Sequence, residues 1–450
     1  MSVASVARVA VVVVAGAGAT VAGATGANAV SATAELTGLR RTTFDNGLTV
    51  VSEYMPQVRS VALGAWVRSA SVHEARADMG VSHMLEHLVF KGTERRGPRE
   101  IALALESLGG SLDAWTSREH TSFQARVLDE HLPQAADVLA DLLFSPTLRS
   151  RDLDLERKVV LEEISMVEDA PDDIVFELHN ELMWGDHPLG YSILGTRDSV
   201  SALSLDAVRA LHDRAYRPEH IVVSAAGHVE HDALVDALLA TGWDQVARGA
   251  AARAVMPATI RPARGERRHV ERDVAQSHVV LGAGAIPYGD PRRYVFALLA
   301  SVLGGGMSSR LFQRVREERG LAYSIYAFHQ HYRETGMHGV YFATSPEQVN
   351  EAIEAVHGEL RDLATHGLPA TELAIGKGQL KGQLTLSLES PGSRLYRAAA
   401  TELYGEPFRS LDLVLAEIDA ITETDVSGLA AEMFQPDDMS VLILGPAAAP

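Results

Sequence analysis

The sequence predicts an α+β protein made of two homologous halves, each a mostly antiparallel sheet flanked by helices, which together form a clamshell. Strand-like segments rich in Val, Thr and Phe are interspersed with amphipathic helical segments. The pattern of the first half recurs about 220 residues later, so that Pro391 corresponds to Pro171. With 450 residues, the chain is long enough for roughly two to four ordinary domains.

The composition indicates a globular protein that does not bind nucleic acid. Apolar residues make up 46% of the chain and charged residues 22%, which is usual for a folded protein. The formal net charge of −19 opposes binding to a phosphate backbone. Because the chain has no cysteine, a disulfide scaffold and a thiolate metal site are excluded, and any metal must be held by His, Asp or Glu.

Residues 1–38 form an extension that is rich in Ala and Gly. Its apolar stretch at 9–15 and the weakly apolar residues after it are insufficient for a stable membrane span. The Ala-Asn-Ala sequence at 27–29 fits the cleavage site of a secretory signal, and the alternative is a flexible extension. The location therefore stays open: exported if the signal is cleaved, and otherwise cytoplasmic.

Residues 39–245 are predicted to form the first half. Its strands are expected at 43–51, where an Asn-Gly turn joins two strands, and at 61–67, 112–127 and 220–226. Its helices are expected at 77–90, 99–108, 133–144, from a cap at Ser150 to about residue 168, and from after residue 226 to about residue 239.

Residues 246–268 are predicted to be a linker, and residues 269–450 form the second half. The linker is rich in Ala and Arg, contains two prolines and shows little periodicity. After it, three segments echo the first half: residues 278–283 echo 61–65, 373–391 echo 153–171, and 440–445 echo 222–227. The two halves are therefore predicted to share one fold.

The segment His83-Met84-Leu85-Glu86-His87 is the main candidate for a metal site. On a helix, His83 and His87 lie one turn apart on the same face and can bind one Zn²⁺. Glu86 leans toward that face and can accept a proton from an attacking water. The alternative is a polar helix face with two surface histidines.

Two carboxylates on the next long helix complete the candidate site. Glu156 and Glu163 lie on one stripe of this helix with Leu153 and Val160. A buried carboxylate is unfavourable unless it is paired or bound to metal. The two lie about 10 Å apart along the axis, so one should bind the metal and the other should hydrogen-bond a ligand histidine. Glu162 points about 100° away and is the weaker candidate, and a helix with ion-paired acids is the alternative.

These residues together resemble the inverted zinc motif of the insulinase/pitrilysin metallopeptidases. The resemblance extends over nearly all of residues 39–447. It implies that Glu163 is the third ligand beside His83 and His87, giving one Zn²⁺ per chain. It also implies that Glu156 contacts a ligand histidine.

The second half lacks this metal set. At the offset of about 220 residues, Gly376 replaces Glu156 and Gln383 replaces Glu163, and no second His-x-x-Glu-His occurs. One half is therefore predicted to hold the zinc ion, while the other half closes over the substrate.

The segment 109–119 resembles the edge strand of the family, which pairs with extended substrate by β-augmentation. Leu112 and Ala114 are therefore predicted to bind substrate. Asp113 stands where the family usually has Asn, which adds a negative charge near the cleft and leaves the role of this side chain open.

The segment 303–323 resembles the Gly-rich segment of the family and its Arg/Tyr pair, here Arg316 and Tyr323. The resemblance implies that this pair reaches across the cleft to substrate carbonyls near the scissile bond. Tyr323 would help to stabilise the oxyanion, so both residues are counted as catalytic. The alternative for the glycines is a tight turn before a helix.

Three further residues bear on the choice of substrate. Asp173 and Glu177 resemble the acidic pair that holds an arginine just before the cleavage point, and a solvated acidic face is the alternative. Phe90 resembles the aromatic residue that lines the pocket just beyond the scissile bond, and core packing is the alternative for it.

Two repeats instead of four resemble the mitochondrial-processing-peptidase type and its bacterial relatives, which work as dimers. Because one chain carries both the zinc set and the Arg/Tyr pair, the resemblance implies a homodimer. The predicted function is a zinc-dependent endopeptidase that cleaves unfolded peptides or presequences inside a closed chamber, near basic residues, with water activated by Glu86. The alternative is a non-catalytic core-subunit relative of these peptidases.

Overall fold

The computed structural model describes residues 38–249 and 260–446. The predicted N-terminal extension therefore lies outside the described residues except for Gly38, and so does the middle of the predicted linker.

A six-stranded sheet forms the centre of the first half. Its strands are β1 (Leu39–Thr43), β2 (Thr49–Tyr54), β3 (Ser60–Val67), β4 (Ser111–Thr116), β5 (Thr121–Leu128) and β6 (Ile221–Gly227). The strand order is β1-β2-β6-β3-β5-β4, and each neighbouring pair is antiparallel except β2 and β6. The sheet is mostly antiparallel as predicted; β4 forms one free edge and β1 forms the other.

Helices cover one face of this sheet and connect its strands. They are α1 (Val81–Val89), α2 (Pro98–Glu106), α3 (Leu132–Phe144), α4 (Ser150–Asp169), α5 (Pro171–Trp184), α6 (Arg197–Ala202), α7 (Leu205–Ala215) and α8 (His231–Ala240). Helix α5 is the exception: it packs on the sheet of the second half.

Three predicted boundaries in the first half change. The helix expected from residue 77 begins at Val81, because Gly80 has a φ of 92°, in the left-handed region that interrupts a helix. The N-cap of α4 is Arg149, so Ser150 is already helical. The strand-like run expected at 112–127 is two strands joined by a tight turn, in which the amide of Ser117 donates to the carbonyl of His120.

The second half repeats this architecture with a five-stranded sheet. Its strands are β7 (Arg267–Glu271), β8 (Ser277–Ala285), β9 (Ser324–His331), β10 (Gly336–Thr344) and β11 (Ser440–Gly445), in the order β7-β11-β8-β10-β9. Its helices are α9 (Arg293–Gly304), α10 (Val349–His366), α11 (Ala370–Ser387), α12 (Pro391–Tyr404), α13 (Leu411–Ala420) and α14 (Glu423–Met433). Strand β7 begins two residues inside the predicted linker. Helices α11 and α12 occupy the sequence positions that correspond to α4 and α5.

The two halves exchange one helix each. Helix α5 packs on β8 and β11 of the second sheet, where Val175 and Trp184 share an apolar cluster with Val280. Helix α12 packs on β2, β3 and β6 of the first sheet, where Leu395 shares a cluster with Trp66. The predicted α+β class with two homologous halves is confirmed. The exchange interlocks the halves, because separating them would expose both apolar clusters.

Across the described parts of the chain, no helix combines the length and the apolar character needed to cross a membrane.

Candidate metal centre and active site

Helix α1 carries the His-x-x-Glu-His motif and is fixed at its start by a buried carboxylate. It packs between β4, α4 and α7. The Glu74 carboxylate accepts hydrogen bonds from the amides of Gly80 and Ser82, both at 2.8 Å, and so satisfies free N–H groups of the first turn. Burial raises the pKa of Glu74 to about 7, although these hydrogen bonds act in the opposite direction. The sequence analysis did not identify Glu74.

The structure brings the three predicted metal ligands together. Glu163 Oε2 lies 3.7 Å from His83 Nε2 and 3.6 Å from His87 Nε2. Zinc in proteins binds N and O ligands at about 2.0–2.2 Å in a tetrahedral arrangement, which puts two ligand atoms about 3.3–3.5 Å apart. Within residues 38–249 and 260–446, this is the one group of three or more His, Asp or Glu side chains with the spacing of a metal site.

The chemistry of these residues also fits a cation. Glu163 Oε2 is buried and has no hydrogen-bond partner among the described residues. Burial and the neighbouring His87 lower the pKa of His83 to about 3, so its ring is neutral with a lone pair free. Burial alone would lower the pKa of His87, but the hydrogen bond to Glu156 and the charges of Glu163 and Glu86 raise it overall. The site therefore attracts positive charge.

Glu156 holds one ligand histidine, as the family resemblance implied. His87 Nδ1 donates to Glu156 Oε2 at 3.1 Å, which directs Nε2 toward Glu163. The other carboxylate oxygen, Oε1, lies 2.9 Å from Lys91 Nζ. Lys91 was not among the predicted site residues, although its position one turn after His87 places it on the same side of α1 as this histidine.

Glu86 lies at the junction of α1 and the edge strand. Thr116 Oγ1, at the end of β4, donates to Glu86 Oε2 at 2.6 Å. Burial raises the pKa of Glu86 to about 7, while the Thr116 hydrogen bond lowers it. A carboxylate near that range can exchange protons with a reacting water at neutral pH.

The predicted substrate residues of β4 divide between its two faces. Leu112 and Ala114 pack toward the core that contains α1, whereas Asp113 is exposed. Phe90 is half-buried against Phe123, with ring centroids 6.3 Å apart, so packing accounts for part of its surface. The substrate-binding roles of these residues stay predictions.

Arg316 and Tyr323 lie next to each other; Arg316 is half-buried and Tyr323 is exposed. Arg316 belongs to a short π-helix, Phe312–Glu317, and its guanidinium lies 4.7 Å from the centre of the Tyr323 ring. Tyr323 is 79% exposed. Among the described residues, Arg316 contacts Phe312, Glu317 and Tyr323, and none of these contacts involves a candidate metal ligand.

Asp173 and Glu177 lie on α5, on the side that faces the second sheet. Burial, followed by the charges of Asp172 and Asp173, raises the pKa of Tyr326 on β9 to about 12. Glu177 lies near the buried Tyr332, and its Oε2 is buried without a partner among the described residues. A carboxylate oxygen with no partner is compatible with the predicted binding of an arginine, which stays a prediction.

The weaker candidate and the second half contribute nothing to the metal site. Glu162 is exposed, in agreement with its predicted direction. On α11, Gly376 is buried and Gln383 is exposed. Neither glycine nor glutamine has a carboxylate, so these two positions cannot supply the metal ligand that Glu163 offers in the first half.

Two family profiles match the chain. The profile described as insulinase (peptidase family M16) matches residues 49–197, and the one described as peptidase M16 inactive domain matches residues 202–380. The chain belongs to the M16 peptidase family. The resemblance of the motif to the insulinase/pitrilysin peptidases is thus confirmed, and the insulinase profile covers all the residues of the candidate metal centre.

Several bacterial M16 relatives are similar over nearly their full length. A protein of Streptomyces coelicolor is 40% identical over 413 residues, which is 91% of this chain and 90% of that protein. YmxG of Bacillus subtilis is 40% identical over 405 residues, 90% of this chain and 98% of that protein. A protein of Mycobacterium tuberculosis H37Rv is 38% identical over 408 residues, 90% and 93% respectively. All three bear the name uncharacterized zinc protease, so this M16 chain is similar to metallopeptidases.

Solved structures share the M16 fold of this chain. A peptidase M16 inactive domain from Pseudomonas fluorescens has a TM-score of 0.84 at 20% identity, covering 91% of this chain and 98% of that one. A protease from Helicobacter pylori has a TM-score of 0.84 at 19% identity, covering 91% and 100%. At this level of identity the likeness concerns the fold alone.

Proposed function

We propose that this M16 chain is a zinc-dependent endopeptidase that cleaves extended, unfolded peptides. One observation carries the proposal: the ligand atoms of His83, His87 and Glu163 converge beside Glu86, which is hydrogen-bonded to the end of the free edge strand. A peptide paired with that strand would present its backbone to the metal site and to Glu86 at once.

In the proposed mechanism His83, His87 and Glu163 hold Zn²⁺, one ion per chain. When bound, this ion supplies Lewis-acid chemistry, which activates water and polarises a carbonyl. Glu86 accepts the proton of the attacking water at its carboxylate and passes a proton to the leaving amine. Thr116 holds Glu86 Oε2 in place at 2.6 Å during both transfers.

The exposure of Tyr323 supports a homodimer as the working unit. Among the described residues, the Arg316/Tyr323 pair contacts no candidate metal ligand of its own chain. In a symmetric dimer, Tyr323 of one copy faces the substrate carbonyl held by the other copy, and the enclosed space between the copies admits unfolded peptides only. The acidic balance of the chain favours peptides with basic residues, and Asp173 and Glu177 would hold an arginine.

Complementation between two variants tests the homodimer. Glu86→Gln and Tyr323→Phe proteins are each expected to be nearly inactive. Loss of a proton-transfer group reduces turnover by about 10²–10⁴, and loss of one oxyanion donor by about 10²–10³. The two variants are mixed in equal amounts, unfolded and refolded together, so that about half of the dimers contain one copy of each. Each mixed dimer has one intact site out of two, which gives about a quarter of wild-type activity. Activity no higher than the average of the separate variants would contradict a shared site.

Cleavage of quenched peptides by purified protein tests the proposed activity itself. Wild-type protein is expected to cleave unfolded peptides. Its cleavage activity should be lost after treatment with a chelator and should return when zinc is added back. A folded domain should resist cleavage that its unfolded counterpart undergoes. Failure to cleave any member of a diverse peptide set would favour the non-catalytic relative.

A further inference from the structure

We propose that the edge strand carries a subsite for a basic side chain of the peptide substrate, formed by Asp113 and Trp115 on the face turned away from the zinc site. The inference rests on the proposed function, because it concerns a peptide paired with β4. It names the class of substrate that this particular chain selects: peptides with Arg or Lys at an outward-facing position.

The alternation of side chains along β4 sets up this subsite. Leu112 and Ala114 pack toward the core under α1, and Thr116 donates to Glu86 on the same side. Successive side chains of a strand point to opposite faces, so Asp113 and Trp115 share the other face. Since β4 pairs only with β5 in the described sheet, its outer edge is free for another strand.

This second face combines a negative charge with an aromatic platform. The Trp115 ring stacks on Tyr396 of α12, with centroids 5.0 Å apart and an interplanar angle of 27°. Asp113 is exposed and lies near this pair: burial first, and the charge of Asp113 in addition, raise the pKa of Tyr396. The stacking on α12 of the second half fixes the indole in place.

The neighbouring cation is not paired directly with Asp113. Arg126 on β5 shares the face, because it pairs with Ser111 in the β4–β5 register. Its guanidinium lies against Gly392 of α12. Among the described residues, Arg126 and Asp113 form no ion pair within 4.0 Å. The carboxylate of Asp113 is therefore available to an incoming positive charge.

A substrate strand added to β4 would place every second side chain on this face. Opposite charges on directly paired strand residues attract, and a cation near an indole face gains a further attraction. An Arg or Lys opposite Asp113 can form both contacts, with its charged end between the carboxylate and Trp115. The alternative is that Asp113 only guards the free edge against pairing with other strands, as charged residues on edge strands do.

A matched peptide series tests the subsite. One otherwise neutral, quenched peptide carries a single arginine at each position in turn, and a parallel set carries citrulline, which has nearly the same shape without the charge. In wild-type protein, arginine at outward-facing positions is expected to raise kcat/KM over citrulline by roughly three- to tenfold, mainly through KM. This preference should shrink at high salt.

Asp113→Asn should reduce the arginine/citrulline ratio at those positions to about one. Glu106→Gln, on the exposed surface of the neighbouring α2, removes the same charge and should keep the wild-type ratio. Asp173→Asn should change the preference at a different substrate position. An unchanged arginine/citrulline ratio in Asp113→Asn would overturn the subsite. If this variant also aggregated, the role of Asp113 would be to prevent β4 from pairing with strands of other molecules.

The same experiment separates the two proposals. If wild-type protein cleaves no peptide, the proposed function fails. If it cleaves arginine and citrulline peptides equally at every position, the peptidase stands and the subsite alone is refuted.

Discussion

Lys91 Nζ lies 2.9 Å from Glu156 Oε1, while the other oxygen of the same carboxylate accepts a hydrogen bond from His87. Through this buried carboxylate, the charge of Lys91 is coupled to a candidate metal ligand. Glu156 and Glu163 place two carboxylates beside the same ligand histidine, His87. Lys91 compensates the charge of Glu156 and keeps this carboxylate oriented toward His87.

Lys91→Met is expected to weaken zinc binding by about 10- to 100-fold, because contacts that orient a ligand from outside contribute on that scale. Lys91→Arg keeps the charge and should lose less. The measurement is the zinc dissociation constant from competition with a chromophoric chelator. Equal affinities in wild type and Lys91→Met would show that Glu156 is oriented without Lys91.

Glu163→Gln should lose stoichiometric zinc, because it removes the one carboxylate among the three converging ligands. Glu162→Gln is the matched control: it changes the adjacent residue, which is exposed, and should keep zinc and activity. Metal analysis after dialysis measures both variants. If Glu163→Gln retained zinc and Glu162→Gln lost it, the third ligand would be Glu162 and not Glu163.

The free energy of unfolding of the metal-free protein is expected to fall as the pH decreases from about 6.5 to about 4. Burial lowers the pKa of His338 to about 4 and that of His329 to about 3. Since the unfolded chain then binds more protons than the folded one, stability decreases with falling pH by up to about 1.4 kcal/mol per pH unit for each histidine.

His338→Gln should flatten this dependence, which denaturant unfolding at pH 7, 6 and 5 measures. The control is His366→Gln, at an exposed histidine, which should leave the slope unchanged. The same slope in wild type and His338→Gln would assign the acid sensitivity to other groups.

Periodicity predicted the parts of the site that lie on regular elements. Leu153, Glu156 and Val160 are buried on one stripe of α4, as their spacing required. The shared face of His83 and His87 on α1 also follows from helix geometry. That this face meets Glu163 depends on the packing of α1 on α4.

Contacts made across the fold could not be read from local patterns. An amphipathic helix such as α5 shows that it needs an apolar partner, but not that this partner is the sheet of the other half. The roles of Glu74 and Thr116 arise at the ends of elements, where a single polar residue carries no periodic signal. The outward direction of Tyr323 likewise depends on how the π-helix and β9 are placed.

The most direct test compares wild type and Glu86→Gln for zinc content and peptide cleavage in the same preparations. The proposed mechanism predicts one zinc per chain in both proteins, and a loss of turnover by about 10²–10⁴ in the variant, because a proton-transfer group contributes on that scale. Cleavage by Glu86→Gln at the wild-type rate, or wild-type cleavage without bound zinc, would contradict it.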